Sequence, residues 1–243
     1  MDSLLYTATS GASRVMMAQH VRSNNLSNAD TTGFRADLER VQSYALQGAG
    51  FDGRTMVVTN SASTRFDSGD VIKTGRSLDV AINGEGFFTV QTPTGDEAYT
   101  RAGNFKADQQ GNLTVNGFPV MADGEPIVLP DYQSLDISDK GLITVVPPGG
   151  GAEIEVGQLK LVKPDLTELQ KETTGLLHSR DGGAFEADPT VAIAAEHLEG
   201  SNVSAIDELV NVMSLTRNFE MQVRMMKTAE TLAQTGNRLL RDR

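Results

Sequence analysis

The side chains able to do chemistry in this sequence are three histidines, an excess of carboxylates and a Gly84-Glu85-Gly86 loop. His20, His178 and His197 could ligate a metal, but they lie far apart in the chain and show no ligand spacing. His197 stands beside Glu196 and Glu199, as exposed loop histidines commonly do without function. Two of the 32 Asp and Glu residues could serve as a glycosidase acid–base pair. With Trp absent, no aromatic platform for a sugar is evident, and the acidic excess reads as a solvated surface. Gly84-Glu85-Gly86 could cradle a phosphate, yet no Lys-Ser/Thr follows it and both flanks read as strands. Cysteine is absent, which removes thiolate chemistry and any disulfide framework. The sequence therefore predicts no catalytic residue, no cofactor-binding residue and no metal ligand. It predicts a protein that is not an enzyme and takes no small-molecule substrate.

Composition points the same way. The 243 residues are enough to bury a real core, but hydrophobic residues are 39% and aromatics 5%, lean for a compact enzyme. Part of the apolar surface is then expected to serve partners. The net charge is −11, and it is unevenly placed: residues 1–35 and 203–243 each carry +1, leaving −13 for residues 36–202. An acidic middle argues against a nucleic-acid face, and near-neutral ends can pack together without strong repulsion. Met1-Asp2-Ser3-Leu4-Leu5-Tyr6 has neither a basic nor an apolar leader region, so export without a cleaved signal peptide is the expectation.

The elements that would carry a partner surface are the two ends. Residues 4–27 read as a helix with a stripe of Leu4, Ala8, Ala12, Val15, Ala18, Val21 and Leu26. The small residues of that stripe, with Gly11, suit close helix–helix approach. Asn25, Asn28 and Thr31-Thr32-Gly33 sit where the chain can leave the helix. Residues 36–75 are ambiguous: Leu38, Val41 and Ala45 could extend a helical turn, Gly48, Gly50 and Gly53 break the pattern, and Thr55–Thr59 reads as a strand. From 76 to about 200 the period is two. The runs are Leu78–Ile82, Phe87–Gln91, Leu113–Val115, Ile127–Leu129, Leu142–Val145 and Gln158–Val162. Turn signals at Asn83-Gly84, Gln110-Gly111-Asn112, Asn116-Gly117 and Lys140-Gly141 predict antiparallel hairpins rather than βαβ units.

Residues 204–241 read as one helix capped by Ser204, with Asp207 and Glu208 in its first turn. Its stripe is Ile206, Leu209, Met213, Thr216, Phe219, Val223, Met226, Ala229 and Ala233, spaced by three and four as in a coiled-coil seam. Thirty-eight residues span roughly 57 Å, too long to be covered by the chain's own β region. Met213, Met221, Met225 and Met226 supply adaptable packing surface. The predicted fold class is α+β, with long terminal helices pairing in a coiled-coil-like tube layer around an all-β, antiparallel, hairpin-rich middle.

Four ordered motifs then carry a resemblance. Asn24–Arg35 resembles the N-terminal signature of the bacterial flagellar rod and hook family. Thr74–Phe88 and Tyr99–Phe105 resemble its central motifs, and Leu198–Val203 with Arg217-Asn218-Phe219-Glu220 resembles its C-terminal signature. The opening Met1–Tyr6 and Gly33–Leu38 are similar to proximal-rod members, and the glycine- and glutamine-rich stretch of distal-rod members is not found. Ser27 stands where the family commonly has Ala, and the Arg-rich tail after Gly236 is not a family hallmark.

The resemblance implies a structural subunit of the basal-body rod, exported through the flagellar type III apparatus and polymerised into the hollow rod that transmits motor torque across the periplasm. It implies as partners other proximal and distal rod subunits and copies of the chain itself. It also implies four parts: residues 1–35 as an inner-tube helix, 36–75 as a connecting segment, 76–202 as an outer β domain and 203–243 as the second inner-tube helix. The expected assembly interface is Leu4, Ala8, Ala12, Val15, Asn25, Leu26, Asn28, Gly33 and Phe34 at one end, with Ile206, Leu209, Met213, Phe219, Val223 and Met226 at the other. The alternatives left open are a distal-rod or other member of the same family, and a secreted β-rich hydrolase.

Overall fold

The computed structural model describes residues 2–45, 55–172 and 174–241. They fall into two compact units. The first joins Met1–Ala29, Ala36–Arg65 and Val203–Arg243; the second joins Asp30–Arg35 to Phe66–Asn202.

The first unit holds the helices α1 (Asp2–Ser27) and α2 (Ala205–Arg241) and an antiparallel pair, β1 (Asp37–Ala45) and β2 (Thr55–Thr64). No Pro lies within either helix. The α1 helix ends where the Asn28 side chain donates to the Asn24 carbonyl at 2.9 Å, giving the last turn a local partner. At the start of α2, the Ser204 hydroxyl accepts from the Asp207 N–H at 3.4 Å, and Asp207 and Glu208 place negative charge at the positive end of the helix dipole. The helical turn left open at Leu38, Val41 and Ala45 is a strand instead. Its ladder with Thr55–Thr64 satisfies the backbone, so pairing overrides the local spacing. Gly48, Gly50 and Gly53 lie outside the described residues.

The second unit is β throughout its regular structure, and every strand pair among the described residues is antiparallel. Its largest sheet has five strands in the order Leu161–Val162, Phe87–Gln91, Glu97–Thr100, Leu177–Ser179, Leu169–Lys171. Phe88 belongs to the main core with Phe105, Leu113, Ile143 and Val145, while Phe87 packs in a second cluster with Tyr99, Val162 and Leu177. Neighbours on one strand point to opposite faces, so this sheet is buried on both sides.

The Asn-Gly signals resolve differently. Asn116 (φ 52°) and Gly117 (φ 88°) form the two-residue turn between Leu113–Val115 and Phe118–Pro119. Asn83-Gly84 makes no hairpin: Val80–Asn83 pairs with Ala192–Ala195, and Phe87–Gln91 pairs in the other sheet. Between them Gly86 (φ 139°) passes so close to Val191 that an added Cβ would sit 2.8 Å from its methyl carbon. The loop is therefore a crossing between sheets. Gln158–Val162 likewise divides, with Ile154–Gln158 in one sheet and Leu161–Val162 in another. Ile127–Leu129 forms bridges only, though Ile127 and Leu129 are buried and Val128 is exposed as alternation predicts.

Candidate functional site

In the first unit the site is a pair of helices with two unlike faces on α2. One face meets α1. Glu208 accepts from Arg22 Nη1 at 2.9 Å, an added Cβ on Gly11 would lie 3.2 Å from the Gln222 amide, and the Thr9 hydroxyl reaches Met226 Sδ at 3.7 Å. Positions 208, 222 and 226 share one stripe of a 3.6-residue helix. By the same periodicity that stripe includes Val212, Leu215 and Phe219, all half-buried, and it continues to Ala229, which is buried. Facing it on α1 are Ala8, Ala12 and Ala18, all buried. Gly and Ala at these positions let the helices approach closely, and Gly11 leaves just the room that the Gln222 amide fills.

The other face of α2 is apolar and bare. Ile206 is 77% exposed, Val210 60%, and Leu209 and Met213 51% each. Four large hydrophobic side chains within eight residues are then left open to water.

Asn25 closes the polar end of this unit. It is fully buried; its side-chain N–H donates to the Asp37 carbonyl at 2.9 Å and its side-chain oxygen accepts from the Asp37 N–H at 2.8 Å. This two-way clamp joins the last turn of α1 to the start of β1, a role beyond the helix stop that the spacing predicted.

The second unit contains a charge centre that the sequence did not announce. Glu199 is 1% exposed, Arg35 3% and Arg101 5%. Arg35 Nη2 lies 2.6 Å from one Glu199 oxygen and Arg101 Nη1 lies 3.0 Å from the other. The Gly69 N–H adds a bond at 3.0 Å, and Arg101 Nη2 also donates to the Gly84 carbonyl at 2.5 Å. Gly33 (φ 67°) lies against this centre: its N–H donates to the Glu199 carbonyl at 2.8 Å, and an added Cβ would fall 2.3 Å from the Ala102 nitrogen. No side chain fits there. Burial, opposed by Glu199 and reinforced by the like charge of Arg35, pushes the Arg101 pKa below its ordinary value. Nearby, burial works to raise the Asp79 carboxyl, but bonds from Arg76 and from Thr74 at 2.7 Å outweigh it and hold the pKa below the usual range.

The expected interface residues thus divide. Ala8, Ala12 and Asn25 are buried, while Val15, Leu26, Phe219, Val223 and Met226 are half-buried. Ile206, Leu209, Met213 and Thr216, the first half of the expected α2 stripe, face away from α1, because the Glu208–Arg22 pair turns a neighbouring stripe toward it. Asn28 bonds within α1, Gly33 serves the charge centre, and Phe34 lies under Lys171, whose Nζ is 4.0 Å from the ring centre. The side chains of Leu4 and Arg241 and the whole of Arg243 lie outside the described residues. His197 is half-buried on a strand rather than exposed in a loop, its Nδ1 2.7 Å from the Ala195 carbonyl oxygen.

Arg35, Arg101 and Glu199 were missed as a set. The available signal was their distribution: three motifs far apart in sequence each contribute one charged residue, and the charges are opposite. Those same stretches carry the likeness to known proteins. Residues 5–35 match the profile described as "Flagella basal body rod protein", residues 81–145 the "Flagellar hook protein FlgE/F/G D1 domain", and residues 194–239 the "Flagellar basal body rod FlgEFG protein C-terminal". The flagellar basal-body rod protein FlgF of Escherichia coli is 35% identical over 248 residues, 99% of each chain.

The chain belongs to the flagellar basal-body rod protein family.

FlgF of Salmonella typhimurium is 34% identical over 99% of each chain, and the rod protein FlgG of Buchnera aphidicola from Schizaphis graminum is 30% identical over 97% of this chain and 98% of its own. The family's terminal profiles fall on α1 and α2, and its D1 profile falls on the β unit that holds Arg101.

Proposed function

We propose that this chain is a structural subunit of the bacterial flagellar basal-body rod, polymerising through α1 and α2 into the hollow shaft that carries motor torque across the periplasm. Family membership supplies the setting; the bare apolar face of α2 is the observation that carries the reading. That face belongs to a helix whose opposite side already meets α1, which supports a cover supplied by another chain. Its occupants are copies of this chain and neighbouring proximal and distal rod subunits, packed in a coiled-coil-like layer. Head-to-tail contacts whose rotation does not close produce an open helical tube. Isolated helices are marginal until an apolar face is buried, so assembly couples their stability to polymerisation.

In this reading residues 1–35 and 203–243 form the inner tube, 36–75 connect, and 76–202 lie outside. The subunit reaches its place through the flagellar type III export apparatus, and it performs no catalysis. Two substitutions test the division of faces. Met213→Asp alters only the bare face, so its effect on the thermal stability of the free protein is expected to stay within about 0.5 kcal/mol, while swimming in soft agar is lost. Phe219→Asp puts charge against α1 and is expected to destabilise the free protein by about 1–3 kcal/mol. Normal motility of Met213→Asp would overturn the assignment.

A further inference from the structure

We propose that the β unit binds a single monatomic anion, chloride under cellular conditions, in the small cavity lined by Gly33, Arg35, Thr100, Arg101 and Lys171. The argument begins with the charge centre. Two guanidiniums share one carboxylate, and both Glu199 oxygens are already committed, to Arg35, to Arg101 and to the Gly69 N–H. Arg35 Nε, Arg35 Nη1 and Arg101 Nε remain, each buried and, among the described residues, without a hydrogen-bond partner. Buried donors in native proteins are almost always satisfied, and a buried net positive charge is compensated. Both arginines line the cavity, as do Thr100, whose hydroxyl can donate, and the Lys171 chain, whose ammonium donates to the Arg35 carbonyl at 2.7 Å. Among the described residues, no carboxylate lines it.

Size and valence select the ligand. The cavity has room for about one water-sized particle, which suits a monatomic anion better than phosphate or a side-chain carboxylate. A water molecule fits but offers two lone pairs and no charge, against three unpartnered N–H groups. A halide accepts from every direction and cancels the excess charge of the pair of arginines. The remainder of the molecule, at −11 overall, repels anions, so retention of chloride here requires a built site.

The test uses the full chain. Thermal unfolding is followed while sodium gluconate, whose anion is too large for the cavity, is exchanged for sodium chloride at constant ionic strength, and chloride-35 NMR line width is measured on the folded protein. Saturable stabilisation is expected, with the midpoint about 2–4 °C higher in chloride, together with excess line width that bromide displaces. Thr100→Val and Lys171→Met are each expected to reduce the line-width excess at least twofold while the fold persists by circular dichroism. Equal midpoints in the two salts, with no excess broadening, would mean that the cavity holds water only and would overturn the proposal. So would a chloride effect that never saturates, or one that survives both substitutions unchanged.

Discussion

The two units solve the burial of charge in opposite ways. In the β unit, Arg35, Arg101 and Glu199 are dry, pair with one another, and sit between a two-sided sheet and a glycine that admits no side chain. In the helical unit, Glu208 is buried but its partner Arg22 keeps about a third of its side chain in water, and the helix carrying Arg22 buries mainly alanines. The carboxylate of the first arrangement has both its oxygens bonded by groups of its own chain. The second is thin, and its outer surface is apolar. A dry ion pair is weak evidence of stability but strong evidence of constraint, because removing one partner strands the others. The β unit thus carries its constraint in a dry ion pair, while the helical unit leaves part of α2 apolar and exposed.

The sharpest way to break that contrast is Glu199→Ala. It strands two buried guanidiniums and is expected to cost about 3–5 kcal/mol, read as a fall in the urea midpoint; a loss under 1 kcal/mol would make the dry centre no different from a surface pair. Asp79→Asn is intermediate, at about 1–2 kcal/mol near neutral pH from the charge-assisted bonds to Arg76 and Thr74. The Asp79 pKa is depressed in the folded chain, so its contribution is present above the unfolded value of about 4 and is lost as pH falls through the lower, folded value. Wild type and Asp79→Asn should therefore converge in stability on acidification, as measured by urea titration at stepped pH. Arg22→Ala should have the smallest of these effects, about 0.5–1 kcal/mol, because its guanidinium is partly solvated. If Arg22→Ala matched Glu199→Ala, the helical unit would be as self-contained as the β unit.

How much of this was legible depended on whether the cause was local. The helix limits, the Asn116-Gly117 hairpin and the alternation at Leu113/Val115 and Ile143/Val145 follow from spacing and turn chemistry, which neighbours in sequence decide. Asn83-Gly84 carries the same dipeptide and makes no hairpin, because Gly86 must pass Val191, over a hundred residues later. The α2 seam shows the limit in another form. Apolar residues line more than one stripe of that helix, and hydrophobicity alone does not choose between them; the Glu208–Arg22 bond does, and it joins positions 186 apart. The charge centre was invisible for the same reason. Each of its three residues reads as an ordinary surface charge until the strands bring them together.

That separation has a consequence for timing. Arg35 meets Glu199 across 164 positions, and Gly33 bonds to the same residue's carbonyl. A polypeptide made from its amino end cannot close this centre until position 199 has been synthesised, by which point four-fifths of the chain is already out. Long-range closure of this kind is slow, since loop entropy is lost before any contact repays it. The buried salt bridge is thus a late event: Arg35, made early, waits for its carboxylate until most of the sequence exists.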